Sequence, residues 1–172
     1  MPEYYRHKAP RRGTKLSDWC GFLQPKQIIH LLTKLTDRWR KGLEILADIY
    51  GIENPFDAIP AFGSLTGYPG FEDFSIARTV HFHYLSATAF TKFRLATLAY
   101  FNDAPGREEQ KHLILDLFED EKPRIRAMRQ IISHYPRIPY EDEAQQHIYT
   151  TTNLDQRLVN MDRFSFQVGQ AI

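Results

Sequence analysis

The chain reads as an all-α, single-domain bundle of four to five helices, with a long Pro/Gly loop and an extended C-terminal tail. Three observations predict this. Apolar residues recur at three- and four-residue steps between residues 25 and 50. Residues 71–102 contain neither proline nor glycine. Proline and glycine instead cluster between the periodic runs, where they end one helix and permit the next to turn. The expected organisation is a basic N-terminal arm over 1–18, a helical bundle over 19–160 and a tail over 161–172.

Each element has a local reason. Residues 1–18 are polar and basic and include Pro2, Pro10 and Gly13, so they form an arm without fixed structure of its own. In residues 25–50, Pro25 suits a first helical turn and Gly51 suits a C-terminal cap. Ile28, Leu31, Leu32, Leu35, Trp39, Leu43, Leu46 and Tyr50 make one apolar stripe. Residues 52–70 are a loop dense in Pro and Gly, whose Phe56, Ile59, Phe62 and Tyr68 predict that it lies against the body. The helix over 71–102 is apolar nearly all round, as expected of a central helix. A turn at 102–106 leads to a shorter helix that Pro123 should end or restart. A further helix over 123–135 buries Ile125, Met128, Ile131 and Ile132. Pro136 and Pro139 stop it. One more helix is expected in 140–160, interrupted near Thr150–Asn153. "DRFSFQVGQAI" reads as a short strand or an extended tail.

Composition excludes several classes of function. With 42% hydrophobic and 13% aromatic residues, a packed core can form. The formal charge of +1 gives no overall field for nucleic acid. Cys20 is the lone cysteine, which rules out an intrachain disulfide and a thiolate metal site and fits a reducing cytosol. No secretory signal and no spanning apolar segment is expected, hence no membrane partner. No Gly-rich phosphate loop, His-Glu-x-x-His or Gly-x-Ser-x-Gly occurs.

Two basic groups stand out against the neutral average. Arg6, Lys8, Arg11, Arg12 and Lys15 lie in the arm, and Lys34, Arg38 and Lys41 lie largely off the stripe of the first helix. They are the candidate contacts to RNA or DNA. The commoner meaning of such runs is a solvated terminus and a solvated helix face. For metals, Glu109 and His112 have the i,i+3 spacing of di-iron bundles and Glu143 and His147 share an i,i+4 face. The helix over 75–101 has no carboxylate to complete a di-metal set, so no metal and no cofactor is expected.

The remaining candidate is "RQIISHYPRIPYEDE". Arg129 and His134 lie five positions apart, about 140° on a regular helix. They converge only if the helix ends or bends at His134, which Pro136 favours. A neutral His is a suitable general base near pH 7, and a neighbouring guanidinium keeps it neutral while offering a cation to a phosphate. The stretch resembles the Arg-x4-His motif of HEPN domains, small helical-bundle ribonucleases of toxin–antitoxin and defence systems. The resemblance implies metal-independent RNA cleavage across a homodimer, with Arg129 steadying the phosphate, His134 acting as base and Tyr135 in the aromatic position. Gln130 stands where the family most often has Asn. Arg78 and His83 repeat the spacing inside the central helix, where no breaker lets them converge.

Taken together, the residues predict first a non-enzymatic helical interaction subunit of a larger assembly of phage, plasmid or defence type, with a homo-oligomer or protein partner and candidate nucleic-acid contact. The aromatic surplus on a helix apolar on all sides carries that expectation, since a short chain has few neighbours to cover it. The metal-independent ribonuclease with Arg129 and His134 is the alternative.

Overall fold

A computed structural model describes residues 23–53, 55–56, 70–102, 106–135 and 150–170. Four helices make up the architecture: α1 Pro25–Tyr50, α2 Phe71–Phe101, α3 Arg107–His134 and α4 Thr151–Gln170. Among the described residues there is no strand. The chain is an all-α bundle. Packing follows chain order, α1 on α2, α2 on α3 and α3 on α4.

The ends of α1 follow local chemistry. The backbone N–H of Gln24 donates to Gln27 Oε1 at 2.8 Å, and Gly51 closes the helix at φ 64°. Its buried seam is Ile28, Thr36, Leu43 and Ala47. The apolar stripe expected from the sequence is therefore wider than the face α2 covers. Leu31 and Leu35 lie outside the seam and are exposed. Trp39 Nε1 donates to the Ala77 carbonyl at 2.7 Å and ties α1 to α2. Gly70 opens α2 at φ 84°, and a Cβ there would collide with the Tyr50 ring.

α2 is central, as its all-round apolarity predicts. Four of its buried hydroxyls are satisfied within the helix itself. Ser75, Thr79, Thr88 and Thr91 donate to carbonyls one turn back at 2.8–2.9 Å. The main core lies between α2, α3 and α4 and includes Phe82, Phe118, Ile125, Met128, Ile131, Leu154 and Met161. A second cluster, Leu43, Ala47 and Phe74, joins α1 to α2. A third, Ala96, Tyr100 and Ile114, closes the α2–α3 end.

Two expectations need correction. Pro123 neither ends nor restarts a helix, because α3 runs unbroken from Arg107 to His134. Pro123 is exposed, so water can solvate the carbonyl it leaves without a donor. Ile114, Phe118, Ile125, Met128 and Ile132 are buried on either side of it and hold the two halves in one line. Residues 161–170 are not a strand or extended tail. They are the second half of α4, which crosses position 160 without interruption. Leu154, Met161 and Val168 are spaced seven apart and buried, a helical repeat. The helix expected over 140–160 is described only from Thr150 onward, and from Thr151 its residues belong to α4; residues 136–149 lie outside the described residues, as does most of the Pro/Gly loop. Its Phe56 does rest on the body, with its ring 5.7 Å from that of His81.

Candidate functional site

The most strongly built polar arrangement centres on Glu121. It follows Leu117 by one helical turn, on the face of α3 that packs inward. Only 3% of Glu121 is exposed. A buried carboxylate is tolerable only with partners. Ser86 of α2 donates to Oε1, and Arg157 Nη2 of α4 donates to the same oxygen at 2.8 Å. Arg124 Nε stands 3.3 Å from Oε2. One carboxylate thus joins three helices and carries two guanidiniums. Lys122 adds an outer strap between α3 and α4, 2.8 Å from Asp162 and 2.6 Å from Glu119.

Beside this knot, α2, α3 and α4 enclose a cleft of about 410 Å³. Its apolar wall is aromatic. Phe93 and Phe118 have ring centroids 5.0 Å apart, and Phe164 stands edge-on to both at 5.6 and 5.7 Å. Phe90 is half-exposed at the rim. The polar wall is one face of α4, with Asn153, Arg157 and Asn160 at helical spacing and Gln156 beside them. Gln156 Nε2 donates to Asn160 Oδ1 at 3.0 Å.

The sequence pattern does not single out this site. Glu121 sits in "FEDEK", where an acidic run normally means solvent, and the α4 face straddles the expected helix interruption and the expected tail. The available signal was N-x-x-Q-R-x-x-N-x-x-x-F, polar residues and a phenylalanine in one helical register.

The sequence-derived candidates fall elsewhere. Arg129 and His134 are both exposed. Arg129 Nε donates to Asp155 at 2.6 Å, which ties α3 to α4. His134 Nδ1 lies 3.0 Å from the Gln130 carbonyl and 3.2 Å from Ser133 Oγ, so the ring sits on the last turn of α3. His134 lies in the last turn of α3, where a helix-end role is also met. Arg78 and His83 diverge as expected. Arg78 is buried with its guanidinium 5.2 Å from the Phe82 ring, whereas His83 is exposed.

His81 is 4% exposed. Neither ring nitrogen has a hydrogen-bond partner among the described residues. Burial first, then the positive charges of Arg40, Arg78 and Arg124, push its pKa down to about 4 against a weak opposing pull from Asp37. Among the described residues, His81 thus lies in the core without the hydrogen bond that a buried imidazole ordinarily makes.

Lys34, Arg38 and Lys41 are exposed along one side of α1. Arg6, Lys8, Arg11, Arg12 and Lys15 lie outside the described residues. Among the described residues no three His, Cys, Asp or Glu side chains gather as metal ligands, and no helix is long and apolar enough to cross a membrane.

No family model matches the chain, and neither a curated protein nor a solved structure is significantly similar to it.

Proposed function

We propose that the chain is a non-enzymatic helical interaction subunit that pairs with a second copy of itself through the outer face of α1. One observation carries this reading. Leu31, Leu35, Ile45 and Ile49 are 51%, 38%, 62% and 69% exposed. Together with Arg38 and Gly42 they recur in steps of four and three, the seam of a coiled coil.

The seam is self-complementary when two copies run antiparallel. Leu31 then faces Ile49, Leu35 faces Ile45, and the stem of Arg38 crosses Gly42. A Cβ at Gly42 would meet nothing within 4 Å, so the glycine leaves room for that stem. Lys34 and Asp48 meet on the flank twice, offsetting the approach of Lys41 to its counterpart at the dyad. The four apolar residues and their flanks would bury on the order of 1,000 Å² over both copies, the lower bound for a specific interface.

Sedimentation equilibrium tests the reading. The wild type should be dimeric at micromolar concentration and Ile45→Glu monomeric with unchanged helicity. A monomeric wild type refutes it. The basic ridge of Lys34, Arg38 and Lys41 borders the same face, and nucleic-acid binding through it would fall steeply with salt.

The ribonuclease reading rests on the exposure of both Arg129 and His134 at the end of α3. RNA cleavage in EDTA that His134→Ala abolishes would support it. Cleavage by neither protein, with the variant folded, removes it.

A further inference from the structure

The cleft between α2, α3 and α4 shares no residue with the α1 face, and its chemistry points to a different kind of partner. We infer that it is a binding site for a small planar aromatic carboxylate, its ring against the phenylalanine wall and its carboxylate on Arg157.

Size and lining come first. A volume of about 410 Å³ lies in the range of small-molecule sites, which are mostly apolar with a few fixed polar groups. Phe93, Phe118 and Phe164 lock one another in edge and tilted contacts, so the wall is formed before any ligand arrives. Phe90, half-exposed with its ring 6.5 Å from that of Phe93, extends the same surface to the mouth. A flat ring gains offset and edge contacts there that an aliphatic chain does not.

Charge then selects the head group. Arg157 is the cation on the cleft wall, and its Nη2–Glu121 bond fixes the guanidinium in place. A guanidinium has five N–H donors, and this bond takes one. Glu121 already faces two cations, Arg124 and Arg157, so this inner group of three carries one positive charge in excess, and the strap of Lys122, Glu119 and Asp162 does not line the cleft. An incoming carboxylate balances it, whereas an ammonium would add to it. The planar fork of Arg157 suits a carboxylate in bidentate geometry. Asn160 and Gln156, next to it on α4, add amide groups at the polar edge.

The test uses three probes by isothermal titration calorimetry on the full chain: indole-3-acetate, tryptamine and acetate. Indole-3-acetate should saturate a single site and bind at least about tenfold more tightly than tryptamine, which has the same ring and the opposite charge, and than acetate, which lacks the ring. Phe90→Ala, at the exposed rim, should weaken it several-fold without loss of helicity. Arg157→Gln alone would leave Glu121 short of a partner, so it is combined with Glu121→Gln; the pair should remove the preference for the anion. An equal or tighter fit for tryptamine overturns the inference. So does binding that neither Phe90→Ala nor the double variant changes, or no saturable binding of indole-3-acetate by the folded wild type. Loss of the α1 dimer in Ile45→Glu with binding retained separates this site from the interaction surface.

Discussion

Lowering the pH should destabilise this protein through His81 in a way that one substitution can isolate. The ring is neutral in the fold because burial and three arginines hold its pKa at about 4, against 6.5 for an exposed His. The direction follows from which state binds the proton. Above pH 6.5 both states are neutral and His81 contributes no pH dependence. Between 6.5 and 4 the unfolded chain takes up a proton that the folded one refuses, so stability falls as pH falls. Below 4 both states are protonated and the loss stops growing. Two and a half pH units at about 1.4 kcal/mol each set a ceiling of roughly 3.5 kcal/mol. Relaxation around the ring lowers this to about 2 kcal/mol between pH 7 and 4.5. Other groups titrate in the same window, so the measurement is a difference. Urea unfolding followed by circular dichroism would compare wild type with His81→Leu across that range. The variant gives up no hydrogen bond among the described residues, because neither ring nitrogen makes one there. Its stability should match or exceed wild type at pH 7 and exceed it by about 2 kcal/mol more at pH 4.5. Parallel pH profiles for the two proteins would refute the reasoning.

Three other outcomes follow from the packing. Glu121→Ala should cost about 3–5 kcal/mol in denaturant unfolding, because Arg124 and Arg157 lose the charge they share, whereas Glu121→Gln, which keeps a partner for Ser86, should cost less. Pro123→Ala should raise the thermal midpoint, with a gain of about 1–3 kcal/mol, since it restores a donor inside a helix that is already continuous. Arg129→Ala should change stability by less than about 1 kcal/mol, because its pair with Asp155 is 44% and 49% exposed and screened by solvent. A large loss there would mean that this strap, rather than the core, holds α4.

Much of the fold was legible because helices announce themselves locally. Pro25 and Gly51 bracket α1, and the absence of breakers marks α2. Two features misled. Pro123 is a strong local breaker, yet the apolar residues on both sides are buried against the same neighbours and the helix continues. α4 carries Thr, Asn, Asp, Ser and Gly, weak helix formers, and its buried apolar residues are spread at seven-residue intervals. Its period is therefore faint until Leu154, Met161 and Val168 are seen in one core-facing row.

The candidate site was far less legible. Glu121 stands in a run of four charged residues, Glu119 to Lys122, and nothing local distinguishes it from Glu119 or Asp120, which are exposed. Its partners Ser86 and Arg157 lie 35 and 36 residues away on other helices. The motif that did stand out, Arg129-x4-His134, is a local pattern, and both side chains find partners at the end of α3.

From the sequence alone came the helical class, the turns that end α1 and α2, and the core residues Ile125, Met128, Ile131 and Ile132 of α3, since these depend on residues a few positions apart. Only the tertiary structure decided which carboxylate is buried, which leucines remain outside, and where aromatic rings and a fixed guanidinium meet. Those outcomes depend on how helix faces stack. Stacking selects one side of each helix for the interior, and it can place a charge there when opposite charges from distant parts of the chain arrive at the same point.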